Sequence, residues 1–299
     1  MKVALTGATG FTGSHTLPKL LADGYSVRCL VRNPRDVGVI AAFGVEVVQG
    51  DLADPQALHE CFGGCGALVN IASLGFGHAP GIVAAAEKAG VRRAIFVSTT
   101  SVFTKLNAKS KTVRLAAEDT VLKSRLGWTI IRPTMIYGTA QDRNICRLIR
   151  YVRRWPVLPV FGSGNALVQP IHVDDLAEVL VAALNTTAAA RKVYNVSGAE
   201  PLAFNDLART VAEILGRRVK LLHIPAGPIV QLLHGIERMK VCFPIKAEQI
   251  LRLQEDKTFS WADAGRDLRF QPRTFRDGVR SEIELICKTL PISLIHSPH

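Results

Sequence analysis

Three glycines near the start of the chain are spaced to hold a phosphate group. Gly7, Gly10 and Gly13 recur at every third residue, directly after the apolar run of residues 3–5. Glycine lets a ligand approach the backbone closely, and the first N–H groups of a helix, with its dipole, favour negative charge. A strand, a glycine turn and a helix start in succession therefore predict a dinucleotide site. The expected contacts come from Gly7, Thr9, Gly10, Phe11, Thr12 and Gly13.

The residues after the second predicted strand bear on which dinucleotide binds. An acid at this point would bind the ribose 2′-hydroxyl of NAD, but the sequence has Arg32 and Arg35 instead. Guanidinium groups suit the bidentate geometry of a 2′-phosphate. We therefore expect NADP(H) rather than NAD(H). The alternative interpretation is two solvated loop arginines.

The spacing of the glycines indicates a particular family. G-x-x-G-x-x-G differs from the general fingerprint G-x-G-x-x-G, and TGATGFTG (residues 6–13) resembles the cofactor loop of the short-chain dehydrogenase/reductase superfamily. It is most similar to the extended branch of epimerases, dehydratases and reductases. The resemblance implies further cofactor contacts: Asp51 and Leu52 at the adenine, Ile71 and Ala72 under the pyrophosphate and nicotinamide ribose, and Pro133 beside the nicotinamide.

The same resemblance implies where catalytic residues would lie. Residues 96–103 resemble the segment that supplies a catalytic Ser or Thr, which places Thr99 where its hydroxyl would bind a substrate oxygen. The alternative is a polar strand end with satisfied hydroxyls. The family also carries Tyr-x-x-x-Lys on one helix face, and with Glu118 as the anchor that pair reads Ser110 and Arg114. No tyrosine lies between residues 25 and 137, so another register does not restore the pair.

This departure changes the chemistry that we expect. Arg114 keeps a positive charge that can hydrogen-bond the nicotinamide ribose, but an arginine does not trade protons near pH 7. An aliphatic hydroxyl such as that of Ser110 is a much weaker acid than a phenol, so the usual proton relay is in question. Lys105, Lys109, Lys111 and Tyr137 are alternative proton carriers, although surface or packing roles suit them better. The altered pair resembles atypical members of the superfamily, including a group similar to an accessory subunit of respiratory complex I, in which the cofactor has a structural role.

Two segments of the second half resemble the family's substrate side. WTIIRPTMIYG (residues 128–138) resembles the sixth strand and the turn beside the nicotinamide, which makes Tyr137 a predicted substrate contact. Residues 142–155 predict a basic amphipathic helix, with Arg147 and Arg150 as further predicted substrate contacts. That basic face has three interpretations: a solvated surface, a phosphate site, or contact with an anionic membrane surface. In the later V-D-D segment, Asp174 is predicted to cap a helix.

The elements that position these residues alternate between strand and helix. Strands are predicted at residues 2–6, 25–31, 44–49, 67–72 and 93–97, with helices between them, including one at 81–89. Such alternation predicts right-handed crossovers and a parallel sheet covered on both faces. The expected architecture is a doubly wound Rossmann fold, formed by residues 1–140 with 166–200. A small C-terminal α/β lobe would comprise residues 141–165 with 201–299.

Composition narrows the classes of partner. The chain has 37 basic and 25 acidic residues, a net charge of +12 and a pI near 9.7, which favours anionic small molecules or lipid. The absence of a nucleic-acid motif and the 6% aromatic content argue against nucleic acid. Six scattered cysteines indicate free thiols, no metal site and a reducing cytoplasm. The apolar stretch at 221–243 is interrupted by charges and prolines, which argues against a membrane span. A homodimer remains open.

Two functions follow. The first is an NADP(H)-dependent oxidoreductase, epimerase or dehydratase that acts on an anionic substrate such as a nucleotide sugar, with Thr99 and Arg114 at its centre. The second is a cofactor-binding scaffold or redox sensor that docks on a protein or membrane without turnover. A fold alone does not decide between them.

Overall fold

A computed structural model describes residues 1–106, 109–238 and 247–289. Their strands, in chain order, are β1 (Lys2–Thr6), β2 (Ser26–Val31), β3 (Glu46–Gln49), β4 (Ala67–Asn70), β5 (Arg93–Val97), β6 (Gly127–Pro133), β7 (Ile136–Tyr137), β8 (Val157–Phe161), β9 (Leu167–Val168), β10 (Ile171–His172), β11 (Lys192–Val196), β12 (Leu202–Ala203) and β13 (Lys220–Ile224).

Helices separate most of these strands. They are α1 (Phe11–Ala22), α2 (Pro34–Ala41), α3 (Pro55–Phe62), α4 (Ala79–Lys88), α5 (Lys109–Leu122), α6 (Ile145–Arg154), α7 (Val173–Asn185), α8 (Phe204–Ile214), α9 (Ala226–Arg238), α10 (Ala247–Arg252), α11 (Ala262–Leu268) and α12 (Phe275–Thr289). Short 3₁₀ turns cover Leu74–Phe76, Thr100–Phe103 and Thr187–Ala189. No helix among the described residues is both long and apolar enough to cross a bilayer.

Seven parallel strands form one sheet in the order β11-β6-β5-β4-β1-β2-β3. β1 lies between β4 and β2, with Thr6 level with Asn70 on one side and with Leu30 on the other. The chain progresses outward in one direction through β2 and β3, and in the other through β4, β5 and β6. Open parallel sheets bind ligands at the carboxyl ends of the strands where this reversal occurs. The predicted doubly wound Rossmann fold is confirmed.

The element ends differ from the sequence prediction for local reasons. β3 begins at Glu46 rather than at Gly44 because Gly44 adopts φ +73° in the turn that closes α2. β4 ends at Asn70, since the chain then turns into the loop 71–73. α6 begins at Ile145, three residues after the predicted start, because Asp142 accepts hydrogen bonds from the backbone N–H groups before and at the first turn.

The chain divides into two compact units. The first comprises residues 1–134, 173–197 and 259–272, and the second comprises 135–172, 198–258 and 273–299. These bounds differ from the expected division: 135–140, 166–172 and 198–200 lie in the second unit, and 259–272 lies in the first. Asp267 explains the latter difference, since its carboxylate accepts hydrogen bonds from Lys192 and Tyr194 at the edge strand β11.

The cysteines of the described residues are free thiols. Cys29, Cys61, Cys65 and Cys146 are buried and Cys287 is exposed, while Cys242 lies outside the described residues. Burial raises the pKa of both Cys29 and Cys61 to about 12. These two thiols are therefore packing groups rather than nucleophiles at neutral pH.

The second unit has a core of its own, beside which the acidic side chain of Glu282 is buried. α6, α8 and α12 contribute apolar residues to that core, among them Ile149, Val211 and Val279. Glu282 of α12 is 0% exposed. Burial, and then the neighbouring carboxyl of Asp142, raise the pKa of Glu282 to about 10, although the Gly138 N–H and Arg150 offset part of the shift. Glu282 is therefore protonated at neutral pH.

The buried carboxyl predicts how stability depends on pH. Between about pH 4.3, the ordinary value for glutamate, and about pH 10, the folded chain keeps a proton that the unfolded chain releases. Stability falls as pH rises through this window. Glu282→Gln mimics the protonated form, so we expect a higher melting temperature than the parent at pH 9 and a smaller difference at pH 5. The exposed Glu284→Gln is the control. Equal pH dependence in parent and Glu282→Gln would contradict the assignment.

Candidate functional site

The loop after β1 and the loop after β4 are in close contact. Gly7 adopts φ +78°, a conformation that side chains rarely allow. A Cβ atom added at Gly7 would lie 2.8 Å from the backbone nitrogen of Ala72. Only glycine fits here without moving the backbone, so Ile71 and Ala72 lie directly beside the glycine loop, as the sequence predicts for a cofactor rim.

Helix α1 begins against the same loop. A Cβ atom at Gly13 would lie 2.0 Å from the carbonyl oxygen of Gly7. The first intrahelical bond runs from the Ser14 N–H to the Gly10 oxygen, and the N–H groups of residues 11–13 precede it. Such amides have no acceptor within a helix. This glycine-lined cradle at a helix N-terminus fits a pyrophosphate.

A buried hydrogen-bond chain links the end of β1 to the end of β4 and to the loop that follows it. The Thr6 hydroxyl donates to the Asn70 side-chain oxygen at 2.7 Å, and the Asn70 amide donates to the Ala72 oxygen at 3.1 Å. Both polar side chains are almost fully buried. Satisfied buried networks of this kind specify a unique geometry. The sequence named the segment after β4 but did not predict this link to Thr6.

The residues predicted to contact the adenosine half lie at neighbouring strand ends. Arg32 follows β2 and Arg35 lies in the first turn of α2; both are exposed, and neither forms an ion pair within the part of the chain described. Asn33 caps α2 by accepting from the Arg35 N–H. Asp51 follows β3 and accepts the Ala53 N–H at 2.9 Å, while Leu52 packs on the core.

Four consecutive hydroxyl residues, 98–101, follow β5, and the first three differ in what they contact. Ser98 is buried and donates to the Glu118 carboxylate at 2.5 Å, and Thr100 is buried and donates to the Pro133 oxygen at 3.2 Å. Thr99 is half-buried, and its oxygen accepts the Ser101 N–H at 3.2 Å. Its O–H hydrogen can still donate, which is the capacity needed to bind a substrate oxygen.

A buried acid links α5 to two strand ends. Glu118 of α5 is 2% exposed and accepts from the Arg132 Nε at 3.0 Å and from its Nη2 at 2.5 Å, in addition to Ser98. Arg132 lies at the end of β6 and packs over the Phe103 ring at 5.0 Å. The sequence pattern identifies Glu118 only as the anchor that aligns the helix with the family. The structure adds its bidentate pairing with Arg132.

Arg114 and Ser110 lie one and two turns before Glu118 on α5. Both are half-buried. A Cβ atom added at Gly75 would lie 3.3 Å from the Arg114 Nε, so the Arg114 guanidinium lies against the segment that follows β4. Among the alternative proton carriers, Lys111 donates to the Thr104 oxygen at 2.6 Å, and the Lys109 side chain lies outside the described residues.

The three predicted substrate contacts belong to the second unit. Tyr137 is 1% exposed and packs edge-on against His172, with ring centroids 5.3 Å apart. Arg147 and Arg150 are exposed on α6, whose predicted apolar stripe is buried as expected. The Arg150 guanidinium donates to the Ala140 oxygen at 3.3 Å. Their roles toward a substrate stay predictions.

Asp174 does not cap α7. The helix begins at Val173, so Asp174 lies inside its first turn. Its carboxylate contacts His15 Nδ1 of α1 at 2.6 Å. The prediction was wrong because a partner distant in sequence binds this carboxylate, and this pairing joins α7 to the helix that follows the glycine loop.

The chain is similar to known dinucleotide-binding proteins. Residues 7–187 match the family model described as NAD(P)H-binding. A ceramide reductase from Caulobacter vibrioides is 31% identical over 83% of this chain and 84% of that protein. Subunit 9 of the NADH dehydrogenase 1 alpha subcomplex from Arabidopsis thaliana is 26% identical over 83% and 67%. The solved structure of MoeE5 with UDP-glucose and NAD has a TM-score of 0.76 at 22% identity, and covers 97% of this chain and 100% of its own.

The buried ion pair predicts a large loss of stability when one partner is removed. Arg132→Met leaves the Glu118 carboxylate buried without its cation, which should lower the free energy of unfolding by about 3–5 kcal/mol. The double variant with Glu118→Gln removes that charge as well, so we expect it to recover part of the loss. Urea unfolding gives the free energy of unfolding of the parent, of Arg132→Met and of the double variant.

The control for this prediction is an exposed pair at the C-terminal end of the same helix. Lys123 and Asp119 are 75% and 57% exposed, so Lys123→Met should cost only about 0–1 kcal/mol. If Arg132→Met costs no more than Lys123→Met, the Glu118–Arg132 pair does not hold the strand ends and α5 together.

Proposed function

The chain belongs to the NAD(P)H-binding family, within the extended branch of the short-chain dehydrogenase/reductase superfamily, and from this premise we propose that it is an NADP(H)-dependent oxidoreductase. The observation that carries the proposal is the contact of Gly7 with Ala72 at the reversal point of the sheet. A half-buried hydroxyl, Thr99, and a half-buried guanidinium, Arg114, lie on elements of the same unit.

The residues that would hold the cofactor are those of the first unit's strand ends. The loop 7–13 would bind the pyrophosphate with its backbone N–H groups, and Asp51 would contact the adenine. Arg32 and Arg35 are exposed after β2 and support a preference for a 2′-phosphate, since a guanidinium donates two parallel hydrogen bonds to such a group. When bound, a nicotinamide cofactor supplies hydride transfer.

Thr99 and Arg114 would position the substrate and the cofactor ribose. The Thr99 O–H donates to a substrate oxygen, and the Arg114 guanidinium hydrogen-bonds the ribose with a charge that does not change near pH 7. Ser110 adds a weak donor one turn away. Neither Ser110 nor Arg114 exchanges a proton readily at neutral pH, so these residues orient groups rather than relay protons.

The substrate that the charge distribution favours is anionic. The net charge is +12, and Arg147 and Arg150 are exposed on the same helix of the second unit. A nucleotide sugar is the first candidate to test, because the MoeE5 structure that shares this fold contains UDP-glucose. A carbonyl compound that the enzyme would reduce is the second candidate, because the Caulobacter relative is a ceramide reductase.

A specific observation favours a second function. With Glu118 as the anchor, Ser110 and Arg114 align with the family's proton-relaying tyrosine and lysine, and one relative is a subunit of NADH dehydrogenase. A scaffold would need the cofactor cradle but no proton relay. In this second proposal the chain binds NADP(H), docks on a protein or membrane partner, and performs no turnover.

Cofactor preference tests the first step. A ligand at about a hundred times its dissociation constant stabilises a fold by about 2.7 kcal/mol. Because we expect NADPH to bind more tightly than NADH, NADPH should raise the melting temperature more at equal concentration. Arg32→Ser with Arg35→Ser should weaken NADPH about tenfold or more and leave NADH unchanged. Arg218→Ser, an exposed arginine of the second unit, is the control. An unchanged preference in the double variant would overturn the arginine assignment.

Turnover distinguishes the enzyme from the scaffold. Thr99→Val removes the donor, so an enzyme should lose about a hundredfold in kcat while its NADPH-induced melting shift stays. Thr99→Ser should restore activity, and Thr112→Val, an exposed threonine, is the matched control. The assay follows NADPH absorbance and sugar products with UDP-glucose, and NADPH absorbance with a long-chain ketone. Absence of turnover in the parent with intact NADPH binding would favour the scaffold.

A further inference from the structure

An apolar cavity lies inside the second unit. Its volume is about 190 Å³. Its lining comes from β8, the loop that follows it, β9, the start of α8 and the chain after α10, and comprises Pro159, Val160, Phe161, Gly164, Ala166, Val168, Phe204, Leu253 and Lys257. An engineered apolar cavity of about 150 Å³ takes up benzene and stays free of water. The cavity is therefore large enough to hold an apolar group of a ligand.

The walls of this cavity are held by hydrogen bonds behind the lining. Asn205 donates to the Ser163 oxygen at 2.9 Å, and Gln254 donates to the Phe161 oxygen at 2.8 Å. On the other side Val168 pairs with Lys257, and the Lys257 N–H donates to the Leu167 oxygen at 2.7 Å. A site whose walls are fixed in this way loses little entropy when a ligand enters.

One charged side chain lines the cavity. Lys257 is half-buried, and its ammonium donates to the Arg252 backbone oxygen. An ammonium has three donors, so it can also bind an anionic group at the cavity. Burial lowers the pKa of Lys257, and a negative group beside it would oppose that shift.

The mouth carries a further apolar side chain. Leu253 is 50% exposed although it lines the cavity. An exposed leucine beside an apolar interior can contact a ligand as it enters. The apolar lining therefore extends from the solvent to the interior.

We propose that this cavity binds the alkyl chain of an anionic amphiphile, with the anionic group on Lys257. The inference goes beyond the proposed oxidoreductase, because it concerns a ligand of the second unit whether or not that ligand is reduced. A lining of apolar side chains and one cation matches a chain with a single negative head. It matches a nucleoside diphosphate poorly, since a diphosphate would leave further charge beside Val168 and Phe204 unpaired.

The test uses octanoate and octan-1-ol, which share a chain and differ in charge. Calorimetric titration of the intact chain should show that octanoate binds more tightly than octan-1-ol. Lys257→Met should lower the affinity for octanoate tenfold or more and leave the affinity for octan-1-ol unchanged. Ala166→Leu fills the cavity and should weaken both. Leu253→Ser, at the exposed rim, should weaken both to a smaller extent and does not depend on repacking the interior.

Matched controls separate the cavity from general effects. Lys220→Met removes an exposed lysine of the same unit, and Ala188→Leu enlarges an exposed alanine of the first unit; neither should change either affinity. Binding that Ala166→Leu and Leu253→Ser leave unchanged would overturn the inference, as would the absence of octanoate binding. The NADPH melting shift, measured in the same samples, reports the first unit separately, so failure here leaves the proposed function standing.

Discussion

The approach of two backbone segments at the carboxyl end of the sheet is the constraint on which the first unit depends. β1 and β4 are adjacent, and their loops meet where Gly7 faces the Ala72 nitrogen. A side chain at Gly7 would separate these loops, and one at Gly13 would push α1 off the Gly7 carbonyl. The same absence of Cβ atoms that packs the loops also exposes backbone amides, so packing and phosphate recognition use one feature.

Glu118 extends this constraint to the residues that differ from the family pattern. A carboxylate 2% exposed is tolerable only with its charge paired, and Arg132 provides two hydrogen bonds to it. α5 is thereby fixed against the ends of β5 and β6. Arg114, one turn earlier on that helix, lies against Gly75. Ser110 and Arg114 are consequently carried by a helix that Glu118 fixes to the strand ends.

The fold could be predicted because its signals are local. The glycine spacing, the alternation of strands and helices, and the strand β5 at Arg93–Val97 all follow from neighbouring residues. The strand ends that carry the predicted cofactor contacts could be located for the same reason, since parallel strand ends gather at one edge. The links Thr6–Asn70, His15–Asp174 and Glu118–Arg132 could not, because each joins side chains distant in sequence and leaves no periodic signal. The error on Asp174 arose in this way: an N-cap is a local rule, and a long-range partner took precedence.

The net charge of the whole chain and the chemistry of the cavity give different information about ligands. A charge of +12 acts over long range and attracts anions in general, which is why the sequence predicts an anionic substrate without naming its shape. The cavity selects at short range, where burial makes an unpaired charge costly and an apolar lining favours alkyl groups. Lys257 contributes to both effects, because it is a cation in an otherwise apolar wall. Exposed arginines such as Arg147 can bring many anions to the surface, but a ligand with one negative end and an apolar remainder matches the interior best.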